Sequence, residues 1–212
     1  MNYMNMDENT KMKIKKTWTV LWKGVVVLVA IFVTVTLLRV LYVSKNTPAQ
    51  VTKIHATKLT MDDVMGVNLP TDPGAEADKT VAGIDANKNG IRDDVELAIF
   101  KEYPDSTKTR AVLLQYALVL QMEMTLPILN RETATAVVED NESRADICLW
   151  SLSSRADMDK FMRETEKNEN FVKDRQLNTE ERKNYLHNFY KYVGSYSASN
   201  DGCDIDVSEL RN

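Results

Sequence analysis

The feature that most limits what this chain can fold into is an apolar run near its N-terminus. Residues 17–43 number 27, with charge only at Lys23 and Arg39. About 20 apolar residues are enough to cross a bilayer as a helix. No polar side chain breaks residues 25–33, so an amphipathic soluble helix does not fit. Lys23 and Arg39 lie near the ends, where long side chains reach the headgroups. Trp18, Trp22 and Tyr42 stand where interfacial aromatic residues belong. Lys11, Lys13, Lys15 and Lys16 precede the run. The positive-inside rule then makes residues 1–16 a cytoplasmic basic tail, 17–43 a single-pass anchor in the cytoplasmic (inner) membrane, and everything from about residue 44 extracytoplasmic. A cleaved signal peptide would have a shorter apolar region and an A-x-A-like site just after it. Thr47-Pro48-Ala49 is a poor site, so the run reads as a retained anchor.

Charge divides at the same place. Residues 1–43 hold six basic and two acidic side chains, which leaves 21 basic against 29 acidic in the remainder. An acidic body argues against nucleic acid as a partner and fits a surface that binds cations or is merely solvated.

The second informative stretch is Asp85-Ala-Asn87-Lys-Asn89-Gly90-Ile91-Arg92-Asp93-Asp-Val-Glu96. Oxygen-bearing side chains fall at the first, third, fifth, ninth and twelfth places of a twelve-residue window, with glycine at the sixth. A hard cation takes six to eight oxygens, and a loop that wraps one presents alternate side chains inward. The sixth place must turn sharply, which Gly90 does without a Cβ penalty. The seventh, Ile91, needs only its carbonyl, so its side chain is free to enter a core.

This loop resembles the EF-hand calcium loop, over about twenty of 212 residues. The resemblance implies Ca²⁺ as the bound ion. It implies Asp85, Asn87, Asn89 and Glu96 as side-chain ligands, Ile91 as the carbonyl ligand and Asp93 as the ligand that works through water. One departure is Arg92 at the eighth place, where the family has an apolar residue. The run Asn-Gly-Ile-Arg-Asp-Asp is more similar to the calcium loops of bacterial dockerin-like and thrombospondin type 3-like repeats. It also resembles the loop that precedes a helical domain in certain bacterial envelope proteins. Pro70, Pro73 and Gly74 forbid the entering helix of a full EF-hand, and there is no second such loop to pair with. What remains is a lone loop followed by a helix.

Residues 44–80 read as an irregular extracytoplasmic tether. Pro48 disfavours a continuing helix, 51–59 alternate weakly as a short strand would, and 60–66 form one capped turn ended by Gly66. Residues 81–212 then read as an all-α domain, a compact bundle of about five helices entered through the loop. The first runs 93–103, with Val95, Ala98, Ile99 and Tyr103 on its apolar face. Pro104 ends it. The second, about 106–129, is apolar nearly all round and so belongs at the centre. Its uncharged stretch between Arg110 and Glu123 is too short to be a second span, and Pro127 ends or kinks it. The third, about 132–153, repeats Ala134, Val138, Asn141, Ala145, Cys148, Leu149 and Leu152 at threes and fours. The fourth, about 155–172, is expected to bury Met158, Phe161 and Met162. The fifth starts after Asn178 and ends at Gly194.

Cys148 and Cys203 are the two cysteines. Neither sits in a metal-like spacing, and outside the cytoplasm such a pair is expected to form a disulfide. No nucleophile elbow, P-loop, zinc-protease or dinucleotide motif is present. His55 and His187, the only histidines, read as solvated. The expectation is therefore a non-enzymatic, calcium-binding, membrane-anchored module with a structural role or an envelope-protein partner. The competing reading is an envelope enzyme or enzyme accessory, with its site among the tyrosines and acids of helices three to five.

Overall fold

The computed structural model describes residues 7–211. The first six residues of the basic tail, and Asn212, lie outside them. Among the described residues the chain is all-helical, with no strand.

Helix α1 is Glu8–Ala56. It contains an 18-residue window apolar enough to cross a membrane, none of it buried. Leu28, Phe32 and Leu38 are each more than 60% exposed to whatever surrounds the helix. Such a helix is long and apolar enough to cross a membrane.

A second, compact unit begins at Thr47, inside α1. Here the chain departs from the expected tether. Helix persists through Pro48 to Ala56, and residues 51–59 are not a strand. Thr47, Val51 and Ile54 fall at i, i+4 and i+7, one face of a helix. Thr47 and Ile54 are buried and Val51 packs on the core. The Thr47 hydroxyl accepts a bond from Asn130 Nδ2 at 2.9 Å. Helix α2, Met61–Met65, is the predicted capped turn. The Thr60 hydroxyl and Asp63 carboxylate cap each other's backbone N–H, and Gly66 closes it in the left-handed region at φ 69°. Leu59 and Val64 are buried as well, so the supposed tether supplies part of the core.

Helix α3 is Asp93–Glu102 and α4 is Thr107–Thr125. As its composition demands, α4 is central. Every residue from Arg110 to Met124 is buried, and α4 touches α2, α3, α6, α7 and α8. It ends two residues before Pro127. The third predicted helix is one continuous rod with a change of pitch. It consists of α5 (Arg131–Ala136), a π-helical segment (Val137–Glu142) and α6 (Ser143–Trp150). Helix α7 is Met158–Gln176 and α8 is Glu180–Tyr190.

The buried face of α7 differs from expectation. Met158 and Met162 are 57% and 59% exposed, while Phe161, Thr165, Val172 and Gln176 face inward. The spacing 161, 165, 172 and 176 is a single stripe. Apolar character alone had drawn in the two methionines flanking it.

The disulfide joins Cys148 on α6 to Cys203 in the C-terminal segment. That segment has no regular structure but is not loose. Ile205, Val207 and Leu210 pack on the core. Asp204 forms a buried ion pair with Arg144 and accepts the Leu59 N–H at 2.8 Å.

Candidate functional site

The loop at 85–96 is held on three sides before any of its own side chains matter. Arg182, fully buried on α8, donates to the carbonyls of Val81 and Thr80, each at 3.0 Å, and to Asp78 Oδ1 at 2.6 Å. Gln121 on α4 donates to the Ala82 carbonyl at 2.6 Å. At the far end Arg92, also fully buried, donates to Asp94 and to the carbonyls of Arg175 and Gln176, at 2.6 and 3.1 Å. Those two carbonyls end α7, where helical C=O groups lack partners of their own. The eighth-place arginine that departed from the family pattern is therefore a strut from the loop to α7.

Within the loop, Gly90 takes φ 85°, and the Ile91 side chain is buried in the core, as the spacing predicted. A Cβ on Gly90 would stand 2.7 Å from Leu118 Cδ1. Glu96 is 1% exposed. Its two carboxylate oxygens accept bonds from Asn89 Nδ2 at 3.0 Å and Asn87 Nδ2 at 3.1 Å. Asp85 Oδ2 accepts the Gly90 N–H at 3.0 Å, while its Oδ1 is buried without a hydrogen-bond partner. The Asn89 oxygen accepts the Ile91 N–H at 2.9 Å. Asp93 turns the other way, its carboxylate accepting the Ala86 N–H at 3.0 Å. Of the predicted set, Asn87 and Asn89 thus face Glu96 across the loop, Asp85 holds the Gly90 N–H, and Asp93 braces the backbone at Ala86.

Burial pushes the Glu96 carboxyl up to about 7, against the pull of the two asparagine amides. Burial also raises Asp93, opposed by the Ala86 N–H. Both shifts follow from carboxylates placed out of water. Among the described residues, no group of three or more His, Cys, Asp or Glu side chains forms a metal site. The loop's facing set mixes carboxylates with asparagines.

A second cluster lies elsewhere in the unit, and sequence reading missed its composition. Glu123 on α4, Glu142 in the π segment, Asp146 on α6 and Tyr190 on α8 come together. The Tyr190 oxygen is 2.8 Å from Glu142 Oε1 and 3.2 Å from Glu123 Oε1. The only available signal was Glu123 in an otherwise apolar run. An acid there must be buried, and so must find a partner. His55 and His187 are exposed, as expected.

No family model, curated protein or solved structure matches this chain. The function must be argued from these two places alone.

Proposed function

We propose that this chain is a membrane-anchored, extracytoplasmic helical module that holds one Ca²⁺ in the 85–96 loop, with a structural or protein-interaction role. Residues 17–43 cross the cytoplasmic membrane once, and the unit from Thr47 onward lies outside. The observation that carries the calcium reading is Glu96. A buried carboxylate faces Asn87 and Asn89, and elsewhere in the same loop an Asp85 oxygen is buried without a hydrogen-bond partner. The terminal torsion of asparagine is soft and two-fold. Half a turn of an amide exchanges an N–H donor for an oxygen and gives a hard cation the donors it prefers, at Asn89 with loss of the bond its oxygen accepts from the Ile91 N–H. Asp85, Asn87, Asn89 and Glu96 would hold the ion through side chains, Ile91 through its carbonyl, and Asp93 through water.

The ion would act as a brace. It would neutralise the buried acids and fix the start of α3, whose Val95 and Ile99 pack in the core beneath the loop. Two neutral asparagines place the affinity nearer the 10⁻⁴ to 10⁻³ M of extracellular modules than that of a cytosolic buffer. At free Ca²⁺ ten times the dissociation constant, occupancy would add about 1.4 kcal/mol of stability.

The full chain, purified in detergent and stripped with EGTA, should melt at a higher temperature as Ca²⁺ is added up to millimolar levels. Glu96→Gln should abolish that response. A flat wild-type response would end the calcium reading. Outward-facing topology is tested separately, by protease digestion of intact cells and by a free-thiol count on protein isolated without reductant.

The second reading, an envelope enzyme or enzyme accessory, draws on the carboxylates gathered by α4, α6, α7 and α8.

A further inference from the structure

The cluster around Tyr190 contains one hydroxyl and two carboxylates that both contact it. A phenol has a single proton to donate, and its oxygen can accept. Tyr190 therefore satisfies one carboxylate as a donor. The contact with the other becomes a hydrogen bond only if that carboxyl carries a proton of its own.

Burial points the same way. Glu123 is 0% exposed, and its Oε2 has no hydrogen-bond partner. Glu142 Oε2 is likewise buried and without one. An ionised carboxylate in that position would be uncompensated, at a cost of several kcal/mol.

The surrounding charges do not supply the compensation. Tyr116 shares α4 with Glu123, Asp146 lies one turn beyond Glu142, and Tyr196 approaches from the C-terminal segment. Helix α7 contributes Glu169 and Lys173. The Lys173 ammonium is 2.9 Å from Glu169 Oε2 and lies over the Tyr116 ring; it draws Glu123, Glu142 and Asp146 down, but less than burial raises them. One ammonium thus stands among four carboxyls.

We propose that Glu123, Tyr190 and Glu142 form a proton-binding site. One proton sits on the Glu123 carboxyl and is donated to the Tyr190 oxygen, and Tyr190 donates its own proton to the ionised Glu142. Removing the bound proton leaves two carboxylates competing for one hydroxyl at the last residue of α8. The docking of that end of α8 against α4 and the π segment then depends on pH.

Two features fit this assignment. The π segment widens the helix at Glu142, and such wide turns recur where a side chain is re-aimed for a task. Burial, then the charge of Glu142, drives the Glu123 carboxyl well above the usual carboxylate range. The Tyr190 hydroxyl is raised by burial and by both acids, so it stays protonated. The site is separate from the calcium loop and does not depend on that reading.

The test is a carboxyl ¹³C NMR titration of the full chain in detergent micelles, with Glu123→Gln and Tyr190→Phe as variants. One carboxyl of the pair should keep its proton well above the range in which a free glutamate loses it. Glu123→Gln keeps an N–H donor for Tyr190 and should abolish that titration. If Glu123→Gln does not fold, Tyr190→Phe carries the test, because loss of the hydroxyl must shift the pair's titration. Ionisation of both carboxyls at pH 6, or an unchanged titration in Tyr190→Phe, overturns the proposal. So does a response of the pair to Ca²⁺, Mn²⁺ or Zn²⁺ added singly at fixed pH, which would make it a cation site.

Discussion

Arg92 reaches across 84 residues of sequence to the carbonyl of Gln176, 3.1 Å away, and ties the start of α3 to the end of α7. It is 0% exposed and bonds Asp94 and the Arg175 carbonyl as well. Replacing it with alanine strands two carbonyls and one carboxylate. Arg92→Ala should cost about 3 kcal/mol in a denaturant titration, within the range for breaking a buried charge network. Arg92→Lys retains the charge without the planar fork and should fall between the two.

Gly83, just before the loop, and Gly90, within it, differ in what surrounds them. Both sit at positive φ, where a side chain is strained. A Cβ at Gly83 would stand 2.4 Å from Arg92 Cδ and 3.0 Å from the Ala77 carbonyl oxygen, whereas one at Gly90 would meet only Leu118 Cδ1 at 2.7 Å. Gly83→Ala should therefore lower the melting temperature more than Gly90→Ala, since it displaces the arginine strut and presses on backbone.

The C-terminal segment is fastened twice, by the Cys148–Cys203 bridge and by the Asp204–Arg144 pair. Closing a loop over a separation of 55 residues stabilises by about 4 kcal/mol on loop-entropy grounds. Cys203→Ser should lose about that much by chemical denaturation. Asp204→Asn leaves Arg144 buried with only Asp140 as an anionic partner and should cost about 3 kcal/mol. The two substitutions should couple, because each lets go of the same strand of chain.

Acidity should stabilise the unit that begins at Thr47. Burial raises Asp146 to about 6, and burial also raises Glu142. A carboxyl with a raised pKa binds its proton more tightly in the folded state, so its contribution is complete below the unfolded value and is lost as pH rises through the folded one. For Asp146 that window is roughly pH 4 to 6. Melting temperature should rise as pH falls from 7 to 5, and Asp146→Asn should flatten the slope. A melting temperature that falls over that range would contradict this account.

Much of the fold was legible because its signals are periodic or compositional. The uncovered apolar helix, the fully buried α4, the Gly66 and Gly90 turns and the stripe on α5–α6 all follow from spacing and residue type. The cysteine pairing followed from there being only two. What could not be read has a common physical origin. Helix through Pro48 is held by packing of Thr47, Val51 and Ile54, and such packing overrides a local breaker. Met158 and Met162 are apolar enough for a core but lie beside the stripe that α4 covers. The burial of Arg92, Arg144 and Arg182 has no signal in the sequence, because their partners are mostly backbone carbonyls or residues far along the chain. In the loop, the residue types were visible, whereas the turn of Asp93 toward Ala86 was not. The Glu123–Glu142–Tyr190 contact needed three helices to be placed first.

Cys203 follows all of the helices in chain order, and this sets a sequence of events. The bridge to Cys148 cannot form until α7 and α8 have been made. Until then Arg144 has no Asp204, Leu59 has no acceptor for its N–H, and the core stands open along the face that residues 205–210 later cover. The protein is thus most vulnerable to proteases and wrong thiol partners late in its biogenesis, after most of its helices exist and before the last of the chain closes over them.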